Sequence, residues 1–184
     1  MNGRHVIVGV TGGIAAYKTA ALVSQLVQGG AEVSVVMTTA AENFVGKATF
    51  EALTGSPVLR DVFGEPGHPL GAHIDLATHG DLLCVAPATA NFLAKAAHGL
   101  ADDLLTTLLL AFTGPVLLAP AMNAEMWAKP VVARNVAILR GDGYGFIDPE
   151  EGWLSCRQRG VGRMAAPESI LAAIQTQLRE LGAG

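Results

Sequence analysis

The chain has 184 residues, of which 51% are hydrophobic and only 15% charged, with a net charge of −4. Such a length suits one domain, taken as residues 1–184, and an acidic chain without a basic stripe is not built to hold nucleic acid. The longest apolar stretch, "LLTTLLLAFTGPVLLAPAM", is broken by Thr, Gly and Pro, so no run of about 18 apolar residues is available to cross a membrane; burial between copies of the chain in a homo-oligomer is the expected outlet for the apolar surplus.

The first residues, "MNGRHVIVGVTGG", carry no cleavage pattern of a secreted protein. Two cysteines, Cys84 and Cys156, build neither a disulfide framework nor a zinc site. A reduced, cytoplasmic location is expected.

"HVIVGV" (5–10) is a continuous β-rich run, followed by "TGG" and by residues 14–28 at helical spacing. Gly29 and Gly30 end that helix, and "AEVSVVM" (31–37) reads as a second strand. "DLLCVA" (81–86) is the next strand, then helices over 89–99 and 101–112, a strand "PVLLA" (115–119), a helix over 131–143, a short strand "GFID" (145–148) and a closing helix over 167–181. Near-uniformly apolar strands alternating with helices predict a three-layer, doubly wound α/β (Rossmann- or flavodoxin-like) domain around a parallel sheet. Such sheets bind ligands beyond the carboxyl ends of their strands. Residues 148–167 carry no periodicity and read as a long functional loop.

Three strand ends carry candidate binding residues. Gly12 and Gly13, with Ile14 and Ala15 after them, form a turn into a helix, where backbone N–H groups hold a phosphate or where a tight turn alone suffices. The turn is not GxGxxG, and the second strand ends in Thr38 and Thr39 without an acidic residue for an NAD ribose, so a mononucleotide fits better. "APATAN" (86–91) places Thr89 as an N-cap and Asn91 in a helix that gains nothing from an amide. Asp102 or Asp103 reads as a cap for the following helix rather than as a catalytic acid. "PAMNAEMW" (120–127) sets two Met, one Asn and one Trp at a strand's carboxyl end.

Among five histidines, His5 begins a strand, His68 lies in a Pro/Gly-rich loop, His79 and His98 precede glycines at helix ends, and His73 starts a helical segment, "GAHIDLAT". Cys84 lies in an apolar strand. Cys156 has Arg157, Arg159 and Arg163 close in sequence, a setting that favours a thiolate.

These pieces stand in order along nearly the whole chain: "VIVGVTGGIAAYK", "FEALTGSPVLRDVF", "HIDLA", "PATANFLAKAAHGLADDLLTT", "PAMNAEMW" and "LSCRQRGVGRMA". In this combination the chain resembles the homo-oligomeric flavin-containing cysteine decarboxylases. The resemblance implies a trimer, or four trimers in a dodecamer, with FMN at a subunit boundary. It gives FMN to Gly12, Gly13, Ile14, Ala15, Thr38, Thr89, Ala90 and Asn91. His73 would approach the flavin, Asn123 would bind the substrate carboxylate, and Cys156 would donate a proton. At the same strand edge Met122, Met126 and Trp127 read as an apolar wall beside Asn123, or, for Met126 and Trp127, as oligomer packing. The implied substrate is 4′-phosphopantothenoylcysteine, converted through a thioaldehyde and an enethiolate into 4′-phosphopantetheine for coenzyme A biosynthesis. Arg157 and Gln158 replace the small and acidic pair typical after the family cysteine, and "FVGKATF" lacks a proline common there. Relatives with other outcomes are a peptidyl-cysteine decarboxylase that stops at the enethiol, a flavin prenyltransferase and a non-catalytic regulatory flavoprotein. The intact His73, Asn123 and Cys156 favour the full decarboxylase.

Overall fold

A computed structural model describes residues 1–65, 67 and 71–182. Five strands, β1 (His5–Val10), β2 (Glu32–Met37), β3 (Leu82–Ala88), β4 (Val116–Pro120) and β5 (Gly145–Phe146), form one parallel sheet in the order β2-β1-β3-β4-β5. β3 and β4 are buried at every residue, which explains their unbroken apolar runs: helices cover both faces, so neither face selects polar residues.

Alternate residues of β1 feed the two layers. Val6, Val8 and Val10 pack with Leu22 and Leu26 of α1 (Ala16–Gln28), Phe50 of α2 (Lys47–Thr54) and Ile170 and Ile174 of α8 (Pro167–Leu181). Ile7 faces the other way, onto Leu76 of α3 (Ala72–His79), Leu93 of α4 (Ala90–Ala97), Leu105 and Leu108 of α5 (Leu104–Ala111) and Leu139 of α7 (Pro130–Gly141). The expected three-layer, doubly wound α/β architecture is what forms. Its strand order makes the chain step outward from β1 to β2 and then return to β3. The crevice opened by that reversal, between the carboxyl ends of β1 and β3, is where such sheets receive ligands.

Several local expectations change. The first helix starts at Ala16, not at residue 14, leaving Ile14 and Ala15 in a turn. Asn91 sits in the first turn of α4 rather than mid-helix. A 3-10 turn (Thr39–Asn43), α2 and the four-residue α6 (Ala124–Trp127) have no counterpart in the pattern read from sequence. Residues 148–167 are not a loop: β6 (Glu150–Trp153) and β7 (Arg159–Arg163) pair antiparallel as a hairpin. His68 lies outside the described residues.

The helix caps follow the sequence. Thr89 accepts from Phe92 N–H at 3.3 Å. Asp103 accepts from Thr106 N–H at 2.8 Å and closes a capping box, worth about 1 kcal/mol, while Asp102 holds Lys95 at 2.7 Å. His79 and His98 each turn Nδ1 to the carbonyl four residues back, at 2.9 and 2.8 Å.

Candidate active site

A groove of about 950 Å³ runs along the carboxyl edge of the sheet, over the β1/β3 crevice. Its floor begins at the turn after β1. A Cβ on Gly12 would lie 2.5 Å from Ala40 Cβ, closer than real side chains pack, so the turn lies flush on the 3-10 segment only because residue 12 is glycine. Gly13 has ordinary space, its nearest neighbour being Thr89 Cγ2 at 3.5 Å. No side chain caps α1, and among the described residues the N–H groups of Gly12, Ile14 and Ala15 have no partner. Free N–H groups at a helix start offer an anion both donors and a positive dipole end.

Thr38 lies at the neighbouring strand end. Its N–H donates to Val10 O at 3.0 Å, while its hydroxyl stands 3.5 Å from the same oxygen, too long to hold it against a better acceptor. Across the crevice, Thr89, Ala90 and Asn91 line the groove at the start of α4. Thus all eight residues assigned to the cofactor converge on one cavity.

The loop after β4 supplies the next wall. Met122, Asn123 and Met126 line the groove, whereas Trp127 packs into the core layer of α4, α5 and α7; the expected aromatic wall at that position is a packing residue. Asn123 caps α6, its Oδ1 accepting from Glu125 N–H at 2.8 Å. With the oxygen so engaged, the Nδ2 amide keeps two donors for another acceptor.

The hairpin closes the groove from above, through Trp153, Leu154, Ser155 and Cys156. Cys156 is free and exposed. Of the three arginines near it in sequence, Arg163 lines the groove and is held by Glu150 at 2.8 Å; Arg157 and Arg159 do not line it. Arg157 adopts φ 64° to turn the hairpin, a conformation that costs a side-chain-bearing residue some strain. Cys84, by contrast, is fully buried, and burial pushes its thiol up to about 12.

His73 is not in the groove of its own chain. It lies at the start of α3, with a buried Nδ1 that has no partner among the described residues. Two residues not singled out from sequence do belong to the site. Lys18, one turn into α1, lines the wall; burial, then the Arg163 charge, lowers its ammonium below the usual lysine value. Thr11, almost wholly buried, lines the groove's floor and bonds across it. Among the described residues no cluster suits a metal ion, and no helix is long and apolar enough to cross a membrane.

The family described as Flavoprotein matches residues 1–179. The chain belongs to that family. This flavoprotein is 49% identical over 180 residues to the coenzyme A biosynthesis bifunctional protein CoaBC of Bacillus subtilis, covering 98% of this chain and 44% of that protein. It is likewise 49% identical over 175 residues to CoaBC of Mycobacterium tuberculosis, at 95% and 41% coverage. The chain therefore spans less than half the length of these curated relatives. Among solved structures, the FMN-dependent cysteine decarboxylase SpaF aligns with TM-score 0.82 and 39% identity, covering 97% of each chain. A cysteine-to-serine mutant of PPC decarboxylase complexed with pantothenoylaminoethenethiol aligns with TM-score 0.86 and 32% identity, covering 94% of this chain and 97% of that one.

Proposed function

We propose that this flavoprotein is an FMN-dependent phosphopantothenoylcysteine decarboxylase, converting 4′-phosphopantothenoylcysteine into 4′-phosphopantetheine for coenzyme A biosynthesis. The observation that carries this reading is the meeting of an anion-ready turn (residues 12–15), the free amide of Asn123 and the thiol of Cys156 in one groove of about 950 Å³.

The residues present fit FMN: a glycine turn with unpartnered N–H groups suits its phosphate, and Thr38 and the start of α4 flank the crevice. When bound, FMN supplies a reversible two-electron acceptor through which the cysteine CH2–SH carbon is oxidised to a thioaldehyde and later reduced again. The C=S group then stands β to the carboxylate and receives the electrons of the breaking C–C bond as CO2 leaves. Asn123 orients that carboxylate with its Nδ2 donors. Cys156, at the hairpin turn, delivers the proton that completes the product. Lys18 places a cation on the wall, suited to the phosphate of the substrate.

His73 serves the oxidative half from a neighbouring copy, so the working unit is a homo-oligomer, a trimer or a dodecamer, with FMN at the subunit boundary. Two features support this: the unpartnered Nδ1 of His73 away from its own groove, and apolar groove-rim residues left open to solvent, Tyr17 at 60% and Trp153 at 62%. The enzyme works in the cytoplasm, with a small-molecule substrate and neither nucleic acid nor membrane as partner.

A second reading is oxidative decarboxylation of a peptide's C-terminal cysteine; the end-to-end likeness to SpaF, an FMN-dependent cysteine decarboxylase, supports cysteine decarboxylation in either reading. One assay separates them. Purified protein, which should be yellow with releasable FMN, is incubated separately with 4′-phosphopantothenoylcysteine and with a peptide ending in cysteine, and each product is weighed by mass spectrometry. Loss of CO2 alone supports the first reading. Loss of CO2 plus H2, or reaction only with a cysteine-ended peptide, supports the second, and a colourless protein that takes up no FMN ends both.

A further inference from the structure

Thr11 is 2% exposed, yet its hydroxyl joins loops from two different strands. Its Oγ1 donates to the Pro87 carbonyl at 2.6 Å and accepts from Thr89 N–H at 3.2 Å. A hydroxyl has one proton and a carbonyl can only accept, so the Thr11 proton is committed to Pro87. The hydroxyls of Thr11 and Thr89 stand 3.3 Å apart, and the proton available between them is therefore that of Thr89. Because Thr89 Oγ1 also accepts from Phe92 N–H, one directed chain runs from the first turn of α4, through Thr89 and Thr11, to the carbonyl of Pro87.

This chain spans the strand-order reversal itself. On one side Thr11 is bonded directly to the glycine turn, and Gly13 N–H donates back to Thr11 O at 2.9 Å. On the other it holds the residue that starts α4. We propose that Thr11 is a positioning residue for cofactor binding: it ties the turn after β1 to the start of α4, so the two walls of the cradle keep a fixed spacing before the cofactor enters. The proposal rests on the FMN reading above. Its physical content is preorganisation, since walls already ordered need no further ordering when the ligand binds.

The test is a titration of apo-protein with FMN, read by flavin fluorescence, for wild type, Thr11→Val and Thr11→Ser, with the apo-protein melting temperature recorded for each. Thr11→Val keeps the shape but leaves the Pro87 carbonyl and Thr89 amide without partners. We expect it to weaken FMN binding by about tenfold or more, with Thr11→Ser restored to within about threefold because the hydroxyl returns. If the valine variant does not fold, Thr11→Ala removes the same hydroxyl without added bulk and carries the same expectation. FMN binding at wild-type strength in the hydroxyl-free variant overturns the proposal. So does a serine variant that melts like wild type yet binds as weakly as valine. A wild type that binds no FMN fails differently, by sinking the cofactor reading on which the proposal stands.

Discussion

The backbone N–H of Met122 donates to the carbonyl of Gly162 at 3.0 Å, joining the loop after β4 to the hairpin. That bond puts Asn123, one residue on, and Cys156, across the hairpin turn, in a shared frame. It depends on glycine twice. Gly162 has φ 151°, and a Cβ there would run into the Met122 carbonyl oxygen; a Cβ on Gly160 would come within 2.8 Å of Ala124 Cβ. Gly162→Ala must therefore lift the hairpin off the loop. Turnover should fall about tenfold or more, since small displacements of reacting groups are costly, while FMN content stays normal. Wild-type kcat/KM in this variant would show that hairpin docking does not set the geometry.

How far the sequence discloses this arrangement varies with the kind of force involved. β1, β3 and β4 are legible because burial on both faces leaves continuous apolar runs, and α4 and α5 because Thr89 and Asp103 are oxygen-bearing caps at their starts. The hairpin is not legible: "EEGW" and "RGVGR" have no alternating apolar pattern, and backbone pairing plus glycine contacts build it. α2 buries one residue, Phe50, too little for a period. The strand-end residues of the groove could be named because doubly wound sheets always open at that edge. Thr11 could not, because its partner Pro87 is 76 residues away. Nor does a sequence tell that His73 falls outside the groove of its own chain.

The two cysteines should behave as opposites toward thiol reagents. Burial raises Cys84 to about 12, so its thiolate accounts for about one part in ten thousand at pH 8 and grows only as pH climbs toward that value. In the native protein one thiol, Cys156, should react with a disulfide reagent within minutes, and the second only after unfolding. Two fast thiols would mean that β3 is far more open than its fully buried pattern.

Asn123→Asp isolates the amide. Aspartate caps a helix as well as asparagine, so the bond to Glu125 N–H and the position of α6 should survive. What is lost is the pair of Nδ2 donors, replaced by a negative charge that, on the proposed reading, would face the substrate carboxylate. Turnover should drop on the order of a hundredfold or more, with the flavin spectrum and melting temperature near those of wild type. Activity close to normal would return Asn123 to a capping role alone.

His73 can be tested for its origin as well as its role. His73→Asn alone should abolish rapid flavin bleaching on substrate addition, since acid–base groups contribute about 10²–10⁴-fold. If the histidine reaches a neighbour's groove, then mixing unfolded His73→Asn and Asn123→Asp chains and refolding them together should restore part of the activity. Some boundaries would then combine an intact His73 with an intact Asn123 from the other variant. No recovery in co-assembled oligomers would place both residues in the service of one chain.

Cys156→Ser divides the reaction at its middle. On the proposed reading, oxidation of the substrate and loss of CO2 would call on the cofactor cradle, Asn123 and His73, none of which the hairpin turn supplies. Completing the product calls for a proton at the carbon that lost CO2. A serine hydroxyl is a far weaker acid than a thiol, whose ordinary pKa is about 8.5. Seating should change little, because Cys156 is exposed at the turn and Leu154 N–H closes that turn on Gln158 O at 2.9 Å without using its side chain. The variant should therefore release CO2, bleach its flavin and accumulate an enethiol one H2 lighter than 4′-phosphopantetheine, a compound that mass spectrometry resolves from the normal product. Formation of 4′-phosphopantetheine at the wild-type rate would remove Cys156 as proton donor. A variant that never bleaches would show that the hairpin turn acts earlier, in holding the substrate, and would direct attention to Trp153 and Ser155 beside it in the groove.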